Sequence, residues 1–217
     1  GAIVFTPDAD FHGAAGFDYT LSDGQGGSAS GRASFAVTAV NDAPAGAGEA
    51  YATAEDTALS VAAPGVLAND ADVDGDALSA ALVSGPAHGT LALAADGGFV
   101  YTPDGDYSGA DSFVYRVSDG AALSAPVTVS LSVGAANDAP VAVDDVLAAS
   151  AEDAVRTIGL GELTGNDSDA DGDALSVVAV GNASGGTVAL SGGAIVFTPD
   201  ADFHGAAGFD YTLSDGQ

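Results

Sequence analysis

Hydrophobic and polar residues alternate along much of the chain. The alternation is clearest at residues 112–118 and 126–133, where every second residue is apolar or aromatic. A period of two places these residues on one face of a β-strand. Turn signals such as Asp96-Gly97 separate the strands, and no helical periodicity occurs. The pattern predicts an antiparallel β-sandwich with about seven short strands. The other five predicted strands cover residues 51–53, 58–61, 78–83, 90–94 and 98–102.

The sequence repeats with a period of 96 residues. Thr-Pro-Asp begins at Thr6, Thr102 and Thr198, and residues 1–25 are identical to residues 193–217. This period exceeds that of solenoid repeats and matches a self-contained domain. We therefore expect the C-terminal part of one domain at 1–40, a complete domain at 41–136, and a domain lacking its last strand at 137–217. Because the chain opens in mid-pattern, we also expect it to be a window cut from a longer array.

An aromatic block recurs in each repeat. It could form a binding platform or fill the core, and the strand alternation favours the core. A glycine also recurs in the loop within this block, at Gly13, Gly109 and Gly205, where we expect a turn with positive φ. The aromatic positions are Phe5, Phe11, Phe17 and Tyr19, then Tyr101, Tyr107, Phe113 and Tyr115, then Phe197, Phe203, Phe209 and Tyr211.

Composition narrows the range of partners. The 217 residues include 31 acidic residues but only three arginines and no lysine, for a net charge of -28. Such a surface repels nucleic acid and anionic membranes and attracts divalent cations. The 47% hydrophobic content argues against disorder. The absence of cysteine suits a reducing compartment, or a secreted protein that metal stabilises in place of disulfides. No apolar run approaches the length of a membrane span.

An acidic loop recurs once per domain, at residues 69–76 and 166–173. Each copy has four carboxylates in seven residues, and two carboxylates about 5 Å apart repel by roughly 0.8 kcal/mol even in water. Alternating oxygen donors around a glycine turn suit calcium. The start resembles an EF-hand loop, but Ala81 and Val178 stand where an EF-hand has its bidentate glutamate, and no helices flank the loop. A solvated acidic turn is the alternative. The loop candidates are Asn69, Asp70, Asp72, Asp74 and Asp76, and Asn166, Asp167, Asp169, Asp171 and Asp173.

Further acidic positions recur outside the loop. Glu55-Asp56 returns as Glu152-Asp153, and Asn137-Asp138 precedes a proline at a domain boundary. We include these six residues among the candidate metal ligands. For two further recurring groups, hydrogen bonding within a turn is the preferred interpretation. They are Asp104 and Asp106, which recur as Asp8 and Asp10 and as Asp200 and Asp202, and Asp119, which recurs as Asp23 and Asp215.

Together these motifs resemble a known family. The order Asn-Asp-Ala-Pro, Glu-Asp-Thr, Gly-Val-Leu-Ala-Asn-Asp-x-Asp-x-Asp-Gly-Asp, Tyr-Thr-Pro-Asp and Phe-x-Tyr-x-x-Ser-Asp-Gly resembles the bacterial Ig-like and cadherin-like tandem repeats (VCBS and tandem-95 type) of giant secreted RTX-type adhesins. The resemblance implies type I export, a cell-surface or matrix location, and a spacer role in adhesion or biofilm.

The resemblance also implies a ligand set. Asp70-Ala71-Asp72 and the linker resemble cadherin motifs that bind calcium between successive domains. If the resemblance holds, one calcium-binding junction would combine residues of two domains and their linker. The sequence has no counterpart of the cadherin Asp-Arg-Glu motif. A site within residues 69–76 alone is the alternative. The junction residues would be Glu55, Asp56, Asn137, Asp138, Asp167, Asp169 and Asp171.

We therefore expect a calcium-stiffened spacer whose partners are neighbouring repeats of the same chain. One alternative is a subunit of an extracellular filament or sheath, assembled from copies of itself by strand complementation. Another is a carbohydrate- or protein-binding module. Catalysis is not expected, because the acids lie in repeated loops rather than in one cleft, and Ser108 replaces the histidine found at His12 and His204.

Overall fold

The computed structural model describes residues 2–217 and divides into two compact units. The first ends at Gly134, and the second covers Ala135–Gln217. The three-part division expected from the repeats stays a prediction.

The first unit opens with a β-hairpin. Strands β1 (Gly13–Ser22) and β2 (Ser28–Val37) pair antiparallel, with Gly13 opposite Val37 and Ser22 opposite Ser28. The carboxylate of Asp23 closes the turn by accepting the N–H groups of Gln25 and Gly27 at 2.8 and 3.0 Å. These hydrogen bonds lower the pKa of Asp23 and confirm the expected turn role at this position.

A β-sandwich follows the hairpin. Its two sheets have the strand orders β3-β9-β8-β5 and β4-β7-β6, and all seven predicted strands are present. One short 3₁₀ helix, Gly65–Leu67, was not predicted. β3 and β9 pair in parallel, unlike the other pairs, and this is possible because no hairpin turn joins them. The strands are β3 (Ala50–Ala54), β4 (Leu59–Val61), β5 (Ser79–Ser84), β6 (Gly89–Leu93), β7 (Phe99–Pro103), β8 (Gly109–Ser118) and β9 (Val127–Gly134).

The core of this sandwich is aromatic and branched aliphatic. Tyr101, Phe113 and Tyr115 are completely buried, and the alternate residues of β9 point inward with them. Phe99 lies edge-on to Phe113, with ring centroids 5.4 Å apart. The interpretation of the aromatic block as core is confirmed for this domain.

The second unit repeats the middle of this plan. Its sheets have the orders β10-β13-β12 and β11-β14. Ile158, Leu163 and Ile195 are buried at its centre. Residues 142–150 form no strand, unlike the matching residues of β3. The strands are β10 (Arg156–Gly159), β11 (Ser176–Ser184), β12 (Gly186–Ser191), β13 (Ala194–Pro199) and β14 (Gly208–Ser214), and a 3₁₀ helix covers Leu160–Glu162.

The recurring loop glycine has the expected backbone conformation. The φ angle is +123° at Gly13, +147° at Gly109 and +142° at Gly205. A side chain at such an angle is strained, which explains why glycine occupies the position in all three copies.

Candidate metal centre

Three carboxylates of the first acidic loop converge. Asp72, Asp74 and Asp76 each present one oxygen such that the three oxygens lie within 4.8 Å of one another. A tight turn builds this arrangement: Oδ1 of Asp72 accepts the N–H groups of Asp74 at 2.9 Å and Asp76 at 3.3 Å. The other oxygen, Oδ2 of Asp72, is buried and has no hydrogen-bond donor. A buried carboxylate oxygen without a donor is costly, and a cation would satisfy it.

The loop also holds the segment that enters the domain. Oδ2 of Asp74 accepts the N–H of Asp42 at 2.8 Å. Beside it, the side-chain amide of Asn41 donates to Oδ2 of Asp119 at 3.0 Å. The N–H of Ala122 and then the Asn41 amide lower the pKa of Asp119, and this confirms the expected turn role of that aspartate. The Asn-Asp boundary motif is therefore anchored at two points within its own domain.

The second loop has the same geometry. Asp169, Asp171 and Asp173 bring three carboxylate oxygens within 4.8 Å of one another. Oδ1 of Asp169 accepts the N–H groups of Asp171 and Asp173 at 3.1 and 3.0 Å, and its Oδ2 is buried without a donor. Oδ2 of Asp171 accepts the N–H of Asp138 at 2.8 Å. The repeated sequence thus folds into a repeated cluster.

Asp70 and Asp167 lie outside these clusters, although they belong to the candidate ligand set. Oδ1 of Asp70 accepts the N–H of Ala47 at 2.8 Å, and its Oδ2 accepts the buried hydroxyl of Tyr115 at 2.9 Å. Burial and then the hydrogen bond to Asp70 raise the pKa of Tyr115. The convergent set therefore begins two residues later than the EF-hand pattern suggests.

Asp167 repeats this role in the second unit. It accepts the N–H of Val143 at 2.7 Å, and the Tyr211 hydroxyl lies 3.3 Å from its Oδ2. Burial and then the hydrogen bond from Tyr211 to Asp145 raise the pKa of Tyr211.

Sequence reasoning missed an acidic position next to these tyrosines. Both carboxylate oxygens of Glu49 are buried without a hydrogen-bond partner, and burial and the charge of Asp70 raise the pKa of Glu49 to about 7. In the second unit Asp145 takes this place and accepts the Tyr211 hydroxyl at 3.0 Å. The sequence signal that could have identified this position is its recurrence, since Glu49 and Asp145 are one repeat, or 96 residues, apart.

The two Glu-Asp pairs differ in burial. Glu55 is 3% exposed, and its N–H donates to the carbonyl of Gly134 at 2.9 Å. Oδ1 of Asp56 accepts the N–H of Asp106 at 3.4 Å. In the second unit Glu152 is exposed.

The remaining candidates contact backbone and side chains near the loops. Asp153 accepts the N–H of Asp202 at 3.0 Å, and Asn69 is exposed. Asn166 donates to the carbonyl of Val143 at 3.2 Å. The side-chain amide of Asn137 donates to Asp215 at 2.7 Å. The metal-ligand roles assigned to all sixteen candidate residues stay predictions.

The donor chemistry of the two clusters fits calcium. Each offers three carboxylates and only oxygen ligands, which hard divalent cations prefer, and calcium accepts the irregular shell that a loop provides. No basic residue stands within either loop.

Two family profiles match the chain. The profile described as bacterial cadherin-like domain matches residues 41–135. The profile described as cadherin-like domain matches residues 1–38 and 136–217, more than half of the chain. The chain belongs to the cadherin-like domain family, and the predicted fold class and resemblance to cadherin-like repeats are confirmed. The narrower VCBS and RTX adhesin type stays a prediction. No curated protein matches.

Solved structures with a similar fold include hydrolases and protocadherins. An endo-fucoidan hydrolase from glycoside hydrolase family 107 is 21% identical over 97% of this chain, with a TM-score of 0.38. The chain spans 33% of that hydrolase. The protocadherin gammaB7 EC3-6 cis-dimer is 14% identical over 93% of this chain and 57% of its own, with a TM-score of 0.46. The protocadherin gammaB4 extracellular domain is 15% identical over 86% of this chain and 36% of its own, with a TM-score of 0.42.

Membership of this family has general implications. Cadherin-like domains generally bind calcium, are typically extracellular, and indicate an adhesion or structural repeat. Among residues 2–217, no helix is long and apolar enough to cross a membrane.

Proposed function

We propose that this chain is a calcium-stiffened structural spacer of a large secreted bacterial surface adhesin or biofilm matrix protein. One observation carries the proposal: the cluster of three carboxylates recurs in both units with the same internal hydrogen bonds. In both units one carboxylate oxygen of the cluster, Oδ2 of Asp72 or of Asp169, is buried without a hydrogen-bond donor, and a bound cation would satisfy it.

Asp72, Asp74 and Asp76 would hold the ion in the first unit, and Asp169, Asp171 and Asp173 in the second. Calcium supplies two positive charges that offset the mutual repulsion of the carboxylates. Binding to the folded state then stabilises the domain by mass action.

Asp74 connects this site to the segment that enters the domain. The same carboxylate that lies in the cluster also accepts the N–H of Asp42, and Asp171 does so for Asp138. Ordering the loop therefore also orders the segment through which the chain enters the domain. Repeated along an array, this restraint on each entering segment would reduce bending and give long reach. The proposed partners are neighbouring repeats of the same chain.

The same arrangement favours a mechanical role over a catalytic one. The carboxylate clusters recur in both units with the same internal hydrogen bonds instead of forming one unique cleft. We propose that the chain has no enzymatic activity of its own.

Small-angle X-ray scattering of the protein in calcium and in excess chelator tests the proposal. We expect a longer maximum dimension and a narrower distribution of distances in calcium. An unchanged scattering profile and melting temperature after chelation would contradict it. Magnesium serves as the control, because it demands a regular octahedral shell and keeps several waters.

A further inference from the structure

A second group of acidic oxygens lies apart from the carboxylate clusters, beside the buried hydroxyl of Tyr115. Both carboxylate oxygens of Glu49 are buried there without a hydrogen-bond partner. The hydroxyl lies 2.9 Å from Oδ2 of Asp70 and 2.7 Å from the carbonyl of Val66. After burial itself, Asp70 and then Glu49 raise the pKa of Tyr115, so the three side chains share one environment. We call Glu49, Asp70 and Tyr115 the Tyr115 centre.

The Tyr115 centre has more acceptors than hydrogens. The hydroxyl donates one hydrogen, and the Val66 carbonyl and Oδ2 of Asp70 both lie within its reach. Both oxygens of Glu49 receive no hydrogen bond from the described residues. The nearby N–H of Ala47 donates instead to the other oxygen of Asp70, Oδ1, at 2.8 Å. A buried carboxylate without donors is costly, and a proton or a cation has to offset this cost.

Basic side chains of the described residues do not balance the charge of this centre. The sequence has no lysine. Two of the three arginines pair with Asp18 and Glu162. The third, Arg116, follows Tyr115 on β8 and therefore points to the opposite face of the sheet. Within residues 2–217, a positive charge beside the two carboxylates therefore has to come from solution.

Backbone contacts hold the segment that carries Glu49 in place. Ala45 and Ala71 exchange two hydrogen bonds of 2.8 and 3.0 Å, and the Glu49 carbonyl accepts the N–H of Ser130 on β9 at 2.9 Å. Between these contacts, a Cβ at Gly46 would lie 2.4 Å from a core side chain, so glycine lets the segment approach the core closely. The fold therefore positions the carboxylate of Glu49 in advance, as a binding site requires.

The second unit builds the same centre with a different acid. Asp145 and Tyr211 stand 96 residues after Glu49 and Tyr115. The Tyr211 hydroxyl lies 3.0 Å from Oδ2 of Asp145 and 3.3 Å from Oδ2 of Asp167. One hydrogen again faces two carboxylates. Two negative charges are therefore kept beside a tyrosine in both units, although the length of one acidic side chain changes.

We propose that the Tyr115 centre binds a calcium ion of its own, in addition to the ion of the loop cluster, and that the equivalent centre of the second unit does the same. Glu49 supplies two oxygens and Asp70 supplies Oδ2, while the Tyr115 hydroxyl donates its hydrogen to the Val66 carbonyl. Two carboxylates balance a doubly charged ion, and oxygen ligands in an irregular shell suit calcium. This site goes beyond the proposed function, because it includes none of the three clustered carboxylates of either loop.

Amide NMR during a titration with calcium chloride tests the site in the unchanged protein. The N–H of Ala47, which Oδ1 of Asp70 accepts, reports on the Tyr115 centre. The N–H of Asp42, which Asp74 accepts, reports on the loop cluster. We expect both amide signals to shift and saturate. In a Glu49→Gln variant, the shift at Ala47 should be lost and the shift at Asp42 should remain.

The two amides separate this proposal from the proposed function. A shift at Asp42 without one at Ala47 would overturn the second site and leave the loop cluster standing, since a proton would then suffice at Glu49. A shift at Ala47 that needs Glu49, without one at Asp42, would support the second site and count against the loop cluster. A shift at Ala47 that survives Glu49→Gln would overturn the second site, as would the loss of both shifts together.

Isothermal titration calorimetry with calcium chloride is the second test. A protein with Asp72→Asn and Asp169→Asn loses charge from both loop clusters and should still bind calcium saturably. Adding Glu49→Gln and Asp145→Asn should abolish the remaining heat of binding. Adding Asp96→Asn instead, in the turn between β6 and β7, is the control and should leave it unchanged. A cluster variant with an unchanged circular dichroism spectrum that binds no calcium would overturn the proposal, as would equal binding with and without the Glu49 and Asp145 changes.

Discussion

Replacing Asp72 and Asp169 by asparagine should change stability in opposite directions with and without calcium. Asparagine keeps the Oδ1 acceptor that each aspartate offers to two backbone N–H groups of its turn. What it removes is one negative charge and one buried, donorless carboxylate oxygen. The turn should therefore survive while the proposed calcium site fails.

The magnitude follows from the geometry. Three carboxylate oxygens within 4.8 Å of one another form three repulsive pairs of ~0.9 kcal/mol each at the dielectric of water. Removing one charge relieves two pairs, so the calcium-free variant should gain about 1.7 kcal/mol per domain at low ionic strength, and less in physiological salt. In calcium the unchanged protein should be more stable than the variant, because a calcium concentration of 100 times the Kd adds about 2.7 kcal/mol to the free energy of unfolding of a domain with an intact site. For a domain of this size, that corresponds to roughly 10–20 °C in melting temperature.

Differential scanning calorimetry in chelator and in calcium measures the change in melting temperature under both conditions. Asp96→Asn is the matched control, because Asp96 sits in the turn between β6 and β7, accepts the N–H of Gly98 at 3.1 Å, and lies outside the clusters. The control should keep the full calcium shift. A variant at Asp72 and Asp169 that gains as much from calcium as the unchanged protein would refute the reasoning.

Three further predictions concern the sandwich in the first unit. Tyr115→Phe loses the hydrogen bonds from the hydroxyl to the Val66 carbonyl at 2.7 Å and to Asp70 at 2.9 Å. The free energy of unfolding, measured in urea, should fall by about 1–3 kcal/mol. The same change at the exposed Tyr19 should lower it little. The pKa of Glu49 rises from 4.5 to about 7 on folding, so the stability that its proton contributes is full below about pH 4.5 and lost by about pH 7. A Glu49→Gln variant should lack this decline. Parallel profiles of stability against pH for the two proteins would contradict the prediction. Asp111→Ala removes the acceptor of the N–H groups of Ala87, His88 and Ser112, while the Tyr101 hydroxyl keeps the His88 carbonyl as an acceptor. The change should cost roughly 2–4 kcal/mol in the same urea assay, with an unchanged midpoint as the contrary result.

Local pattern predicted the strands well. The alternation at residues 112–118 became β8 with Phe113, Tyr115 and Val117 completely buried, because a period of two and one buried face determine a strand. The Asp96-Gly97 signal likewise became the turn between β6 and β7. Pairing between distant strands was harder to predict, since no local turn ties β3 to β9 and their parallel pairing depends on the whole sandwich.

The arrangement of the acidic residues is finer than the sequence pattern, and the ligand roles stay predictions. The sequence pattern treats Asp70, Asp72, Asp74 and Asp76 alike, because they share spacing and chemistry. Only folding separates Asp70, which turns toward Tyr115, from the other three. The repeat spacing marks Glu49 and Asp145 as a recurring acidic position. That Glu49 lies beside Asp70 and Tyr115 depends on how the entering segment crosses the sandwich, which the spacing does not show.

A calcium titration followed by amide NMR tests the central claim most directly. We predict saturable shifts in the amides of the two loops, 72–76 and 169–173, together with those of Asp42 and Asp138, whose N–H groups the loop carboxylates accept. The Asp96 turn should not shift. Weak shifts at every exposed carboxylate that never saturate would contradict the account, because they would show a diffuse ion atmosphere around an acidic chain instead of a site.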